Sequence, residues 1–86
     1  MDIRKIMIES ILECTYLGLK PEDISDDTNM TNDLGFDSII FIQVIVTIEE
    51  KLNMSLSNDV LEIDDIFTFS DFYNRVHQCI EQNLNG

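Results

Sequence analysis

One segment of the chain, Ile39 to Leu52, is more apolar than packing a single helix requires. Five of its residues recur at helical spacing and form a first stripe: Phe41, Val44, Ile45, Ile48 and Leu52. That stripe suffices to pack the helix into a core. Ile39, Ile42 and Val46 form a second stripe on a different side. A small bundle cannot enclose a helix all round, so we favour a partner surface for the second stripe; the alternative is that a short helix and its loops cover it.

Two other segments also repeat apolar residues at helical spacing, which predicts a first helix over residues 2–16 and a last helix over residues 70–83. Asp2 is expected to cap the first helix and Gly18 to end it. Ser70 is expected to cap the last helix, with an acidic residue in its first turn.

The predicted fold is all-α, a single domain over residues 1–86. It is a small bundle of three main helices plus one short helix, expected near residues 59–63, with a long first loop. The middle helix runs over residues 38–52, with Asp37 as its N-cap and Asn53 as its end. Sustained strand alternation is absent from the sequence.

The long first loop, residues 19–37, is rich in Asp, Asn and Thr, which favour turns. Three apolar residues are spaced along it as expected anchors into the core: Ile24, Met30 and Leu34. A calcium-loop interpretation fails, because a loop begun at Asp27 has Asn32 where Gly is needed and Ser38 where Glu is needed. We therefore predict no metal site.

The charge balance restricts the partners. Seventeen acidic residues and five basic ones give a net charge of −12. Without a basic stripe, nucleic acid is excluded as a partner and an anionic membrane surface is disfavoured. Partners with basic patches are favoured, although the acidity explains solubility equally well. We expect a monomer.

The cysteines, Cys14 and Cys79, have no CxxC or zinc-site spacing and fall on apolar helix faces. We expect buried, reduced thiols, which fits a cytoplasmic location. Glu9 and Glu13 interrupt the apolar residues near the N-terminus, so we predict neither a signal peptide nor membrane insertion.

Ser38 stands at a helix N-terminus, where unpaired N–H groups and the helix dipole favour negative charge. A phosphate ester on its hydroxyl would suit that field, although capping alone also explains an Asp-Ser pair. The only histidine, His77, falls outside the apolar stripe of the last helix and is expected at the surface. A hydrolase triad on Ser38 therefore has no support.

The residues around Ser38 resemble a known attachment motif. The segment Leu34–Ile39, which reads LGFDSI, is similar to the Leu-Gly-x-Asp-Ser-(Leu/Ile) motif of acyl and peptidyl carrier proteins. Residues 40–52 resemble the recognition helix of that family, and residues 68–72 resemble its entry into the last helix. Helix order, length and acidity match as well. The chain thus resembles a free-standing carrier, which implies the acyl-carrier fold.

This resemblance implies a role for each matching residue. Ser38 would accept 4'-phosphopantetheine from coenzyme A within a phosphopantetheinyl transferase, so the chain would be a carrier and not an enzyme. Asp37 would cap the helix and help the transferase dock, and Gly35 would permit a tight turn. Four residues would contact partner enzymes: Ile39, Ile40, Ile42 and Val46. The arm would hold acyl or aminoacyl cargo as a thioester, passing from a loading enzyme to a downstream synthase or condensation enzyme.

One departure bears on the pathway. Carriers of primary fatty-acid synthesis typically place acids where this chain has Ile40 and Gln43. The difference favours polyketide, nonribosomal peptide or other specialised biosynthesis, with housekeeping fatty-acid synthesis as the alternative. An interaction module that never carries an arm is the alternative of another class, since the second stripe and the acidity suit it equally well.

Overall fold

The computed structural model describes residues 2–56 and 66–85. These residues form three α-helices and one 3-10 turn: α1 (Ile3–Thr15), the 3-10 turn (Pro21–Asp23), α2 (Ser38–Leu52) and α3 (Phe69–Asn85). The prediction of an all-α bundle with three main helices is confirmed. The short helix expected near residues 59–63 lies outside the described residues, and the 3-10 turn was not predicted.

α2 begins and ends where the sequence predicts. Its N-cap is Asp37, whose Oδ1 accepts a hydrogen bond of 2.8 Å from the backbone N–H of Ile40. Its C-cap is Asn53, which adopts the left-handed conformation with φ +54°. Asn tolerates that conformation better than most residues, so the helix stops there.

α1 has the predicted N-cap but a different end. Asp2 Oδ1 accepts a hydrogen bond from the N–H of Lys5 at 3.1 Å. The prediction that Gly18 ends the helix is wrong: Tyr16 is the C-cap, with φ +53°. Gly18 is also left-handed, with φ +70°, but the chain has already left the helix there.

The predicted cap of α3 is also wrong. Helix α3 starts at Phe69, and Thr68 closes its N-terminus instead of Ser70. Thr68 Oγ1 accepts a hydrogen bond from the N–H of Asp71 at 3.2 Å, while Asp71 Oδ2 accepts one from the N–H of Thr68 at 3.1 Å. This reciprocal pair is a capping box. The N–H of Ser70 donates instead to the backbone oxygen of Asp26 at 3.1 Å.

The core is built from the predicted apolar stripes. All five residues of the first α2 stripe are buried, and so are Phe72, Val76, Cys79 and Ile80 of α3. The Phe72 ring lies at the centre, 6.1 Å from the ring of Phe36 and 5.8 Å from that of Phe41. Edge and tilted ring contacts of this kind stabilise a core beyond the area they bury.

The long first loop is fastened to the rest of the fold. Its three predicted anchors, Ile24, Met30 and Leu34, are all buried, which confirms them. The N–H of Met30 donates to the backbone oxygen of Phe67 at 2.9 Å, and the N–H of Phe69 donates to that of Thr28 at 2.9 Å. These bonds tie the loop to the start of α3, so the end of the loop enters α2 from a fixed position.

Arg4 adds a further tie between α1, the loop and α3. Its guanidinium lies 5.0 Å from the centre of the Phe69 ring and 2.5 Å from Asp26 Oδ1. Both cysteines are reduced thiols; Cys79 is buried as predicted, whereas Cys14 is only half-buried. In the part of the chain that the structure describes, every helix is too short or too polar to cross a membrane.

Candidate functional site

The segment that joins the first loop to α2 is anchored at alternate residues. Leu34 and Phe36 are buried, with 2% and 4% of their surface exposed. Gly35, Asp37 and Ser38 between and after them are exposed. The apolar residues hold the backbone while the polar residues face solvent, so Ser38 is presented by a rigid frame.

Gly35 makes the turn into this segment. It has φ +67°, in the left-handed region that favours glycine. Its N–H donates to the backbone oxygen of Thr31 at 3.0 Å, and the N–H of Phe36 donates to that of Met30 at 3.0 Å. An added Cβ at Gly35 would meet no atom within 4 Å, so the backbone conformation and not the space is what requires glycine.

Ser38 is the first residue of α2, one position after the cap. Asp37 accepts two hydrogen bonds from the start of the helix. The N–H of Ile40 donates to its side-chain Oδ1 at 2.8 Å, and the N–H of Phe41 donates to its backbone oxygen at 2.9 Å. The N–H groups of Ser38 and Ile39 have no acceptor among the described residues. Two free N–H groups at the positive end of a helix dipole suit a phosphate on the Ser38 hydroxyl, so the residues fit the group.

The structure offers Ser38 no catalytic apparatus within its described part. His77 is engaged on α3, where its Nδ1 lies 3.2 Å from Glu81 Oε1 and its ring stacks on Tyr73 at 5.8 Å. Its side chain is 41% exposed, which confirms the expected surface position. A cluster of His, Cys, Asp or Glu able to hold a metal ion is also missing from residues 2–56 and 66–85.

The second stripe of α2 is exposed. Ile39, Ile42 and Val46 expose 68%, 60% and 44% of their surface. Together they make an apolar strip that starts beside Ser38 and follows the helix. Ile40 differs, because it is partly buried and packs against the core.

Sequence reasoning missed two features of the structure. Tyr16, at the end of α1, is 90% exposed and lies across a groove from Ile42 and Val46. Nothing at that position in the sequence predicts a left-handed tyrosine. The capping box at the start of α3 was also missed, although the Thr68-x-x-Asp71 pattern could have revealed it.

Comparison with known proteins defines the class. Residues 8–76 match the family described as the phosphopantetheine attachment site. The acyl carrier protein of Wolinella succinogenes is 27% identical over 70 residues, covering 81% of this chain and 82% of that protein. The acyl carrier protein of Chlamydia trachomatis is 33% identical over 61 residues, covering 71% of each chain.

The chain belongs to the phosphopantetheine-attachment family of carrier proteins. Its general function is that of an acyl carrier protein, and proteins of this kind carry substrates and are not enzymes. The prosthetic group of the family is 4'-phosphopantetheine, attached covalently. The resemblance to carrier proteins that the LGFDSI segment indicated is thereby confirmed.

Proposed function

We propose that Ser38 is the residue that receives 4'-phosphopantetheine, and that the arm carries acyl or aminoacyl thioesters between enzymes of a specialised biosynthetic pathway. The observation that supports this most is that Ser38 is exposed at the first position of α2. It lies within the LGFDSI segment, whose buried residues hold it in place.

The attachment chemistry belongs to a separate phosphopantetheinyl transferase. The Ser38 oxygen forms a phosphoester bond, a P–O bond of the coenzyme A pyrophosphate breaks, and adenosine bisphosphate leaves. The Ser38 proton passes to a base of the transferase, because the neighbouring carboxylate, Asp37, serves as the cap of α2 and His77 pairs with Glu81 on α3. The bound group supplies a terminal thiol that forms thioesters with the cargo.

The surrounding residues have supporting roles in this proposal. Asp37 fixes the end of α2 and leaves the N–H groups of Ser38 and Ile39 free to face the phosphate. Gly35, in its left-handed conformation, makes the backbone turn that directs Ser38 towards solvent. Ile39, Ile42 and Val46, with a smaller share from half-buried Ile40, form the surface for partner enzymes. A tethered arm raises the effective concentration of cargo at each enzyme.

The apolar character of α2 supports the specialised pathway. The first turn of α2 holds no acidic residue, and Ile40 and Gln43 stand where fatty-acid carriers typically have acids. Docking would therefore depend more on apolar contact than on ion pairs. Partners would include a loading enzyme and a polyketide synthase or a nonribosomal condensation enzyme. We further propose a monomer, and a location in the cytoplasm that the reduced thiols of Cys14 and Cys79 support.

Intact mass spectrometry tests the attachment site. The purified chain is incubated with coenzyme A and a phosphopantetheinyl transferase of broad specificity. Wild type is expected to gain the mass of one phosphopantetheine, and Ser38→Ala is expected to gain none. A wild type that gains no mass contradicts the proposal, as does an equal gain on Ser38→Ala.

A second assay tests the pathway. Wild type loaded with the arm and an acyl group is offered to a ketosynthase of fatty-acid synthesis, beside the double variant Ile40→Glu, Gln43→Glu. The variant is expected to react faster than wild type, because the added acids supply the missing ion pairs. Wild type reacting as fast as a fatty-acid carrier would support the housekeeping alternative instead.

A further inference from the structure

A single turn of chain, residues 30–34, leads into the segment that presents the attachment serine. The N–H of Asp33 donates to the backbone oxygen of Asn29 at 2.9 Å, and the N–H of Gly35 donates to that of Thr31 at 3.0 Å. Both bonds have the spacing of an α-helix. One helical turn has no stability of its own, so groups at its ends must hold it in shape.

Asn29 closes the start of this turn. Its Oδ1 accepts hydrogen bonds from the N–H groups of Thr31 and Asn32, at 3.0 and 2.7 Å. The N–H of Met30 donates to the backbone oxygen of Phe67 at 2.9 Å. The remaining N–H of the turn donates to the backbone oxygen of Asn29, as described above. Every N–H group that opens the turn therefore has an acceptor, and Asn29 provides most of them.

Asp33 holds Asn29 in return. Its Oδ2 accepts a hydrogen bond of 2.8 Å from the N–H of Asn29, while its own N–H donates to the backbone oxygen of Asn29. Reciprocal bonds of this kind stabilise the start of a helix in a capping box. A bond to a carboxylate is also stronger than one between neutral groups. The two residues thus fix the shape of the turn together.

The turn connects two fixed points of the fold. At its start, Asn29 pairs with Thr68 in an isolated antiparallel bridge, beside the entry to α3. At its end, Leu34 and Phe36 are buried in the core. The shape of the turn therefore sets the direction in which the chain continues towards Ser38.

We propose that Asn29 and Asp33 are positioning residues for the attachment of 4'-phosphopantetheine, because the turn that they hold fixes the direction in which Ser38 meets the transferase. The inference rests on the proposed function of Ser38. Both residues act through the backbone, since they precede Ser38 by nine and five positions. A preformed segment avoids part of the ordering cost of binding.

This role predicts a particular kinetic change. If the turn loosens, only a fraction of the molecules present Ser38 correctly, and the apparent affinity for the transferase falls by that fraction. Once the segment is bound it has the correct shape, so kcat is expected to stay the same while KM rises. A residue that only stabilises the fold would lower Tm but leave KM unchanged at temperatures where every variant is folded.

Steady-state kinetics of the attachment reaction, well below the Tm of every variant, test the proposal. In Asn29→Ala the acceptor for two N–H groups is lost, and we expect KM for this chain to rise about five-fold, which corresponds to about 1 kcal/mol. The matched control is Asn32→Ala. It removes the same amide from the same turn, but the Asn32 side chain makes no hydrogen bond within the described residues, so KM should not change.

Conservative variants test whether the hydrogen bonds themselves are responsible. Asn29→Ser restores an oxygen that caps well, so its KM should return close to that of wild type. Asp33→Asn keeps an acceptor for the N–H of Asn29, whereas Asp33→Ala does not. We therefore expect the alanine variant at this position to have the higher KM of the two.

Amide hydrogen exchange gives a second readout that needs no transferase. The N–H groups of Gly35 and Phe36 donate to the backbone oxygens of Thr31 and Met30, both at 3.0 Å, so they report on the turn. Their exchange should be faster in Asn29→Ala than in wild type and unchanged in the Asn32→Ala control.

The outcomes separate this inference from the proposed function. A KM for Asn29→Ala equal to that of the control, or one that Asn29→Ser does not restore, would overturn the positioning role alone. So would unchanged exchange of the Gly35 and Phe36 N–H groups in Asn29→Ala. Failure of wild type to gain mass with coenzyme A would instead overturn the proposed function, and the positioning role with it.

Discussion

Asp71 shows how one carboxylate holds the entry to a helix. Its Oδ2 accepts hydrogen bonds from the backbone N–H groups of Thr68 and Phe67, at 3.1 and 3.0 Å. These two hydrogen bonds lower the pKa of Asp71 below its ordinary value, and the bond from Thr68 has the larger effect. Hydrogen bonds to the charged form stabilise it, so the carboxylate stabilises the fold as long as it is ionised.

This lowered pKa leads to a pH-dependent prediction. Because the pKa of Asp71 is lower in the folded than in the unfolded chain, its contribution is complete above the unfolded pKa of about 3.9 and is lost as the pH falls through the folded value. We expect Asp71→Asn to reduce the free energy of unfolding by roughly 0.5–1 kcal/mol at pH 7. Urea denaturation from pH 7 down to pH 3 should show that the difference from wild type shrinks below about pH 3.9.

Asp27→Asn is the control for that measurement. Asp27 is exposed, and its carboxylate accepts no hydrogen bond from the described residues, so the same loss of charge should change stability by less than about 0.5 kcal/mol. A difference between wild type and Asp71→Asn that stays constant from pH 7 to pH 3 would refute the assignment.

Individual residues also show where sequence reasoning reaches its limit. Asp37 and Asn53 were predictable, because each has a local preference for the conformation or bond that it provides. Tyr16 was not, because a glycine two residues later offers the more favourable left-handed position. The contacts of Arg4 with Asp26 and Phe69 join residues distant in sequence, so no local pattern indicates them.

At the scale of elements, α2 carries two stripes with different surroundings. Phe41 on the first stripe is 7% exposed and its ring packs against Phe72, whereas Ile42 on the second stripe is 60% exposed. Helical spacing predicted both stripes. The sequence also favoured the second stripe as the exposed one, which the structure confirms. Spacing alone could not exclude that a short helix and its loops cover it, since that depends on contacts distant in sequence.

Aspartate substitutions on adjacent residues separate the two stripes. Phe41→Asp should lower the free energy of unfolding by about 3–5 kcal/mol, because it removes a buried ring and places a charge in the core. Ile42→Asp should cost less than about 1 kcal/mol, because its charge stays in water. Thermal and urea denaturation of both variants give the comparison. Similar losses would show that the second stripe is covered in solution.

At the scale of the molecule, rigidity and charge act together. The long loop is tied to α3 through Met30 and Phe69, and α1 is tied to both through Arg4. The fold thereby holds Ser38 and its apolar strip at fixed positions. An acidity that would attract basic partners also makes the folded chain repel itself, so the same charge that would speed encounter reduces stability.

That repulsion predicts a stabilising effect of salt. The molecule measures 37 × 26 × 21 Å, so at 0.01 M salt a Debye length of about 30 Å lets most charges interact, whereas at 1 M it is about 3 Å. We expect Tm to rise by several degrees in sodium chloride, since about 1 kcal/mol shifts Tm by roughly 4–8 °C in a chain of this size. A variant with three exposed acids neutralised, Glu22→Gln, Asp27→Asn and Glu50→Gln, should melt higher than wild type at low salt and respond less to salt. Equal salt responses of the two proteins would mean that the net charge of −12 does not limit stability.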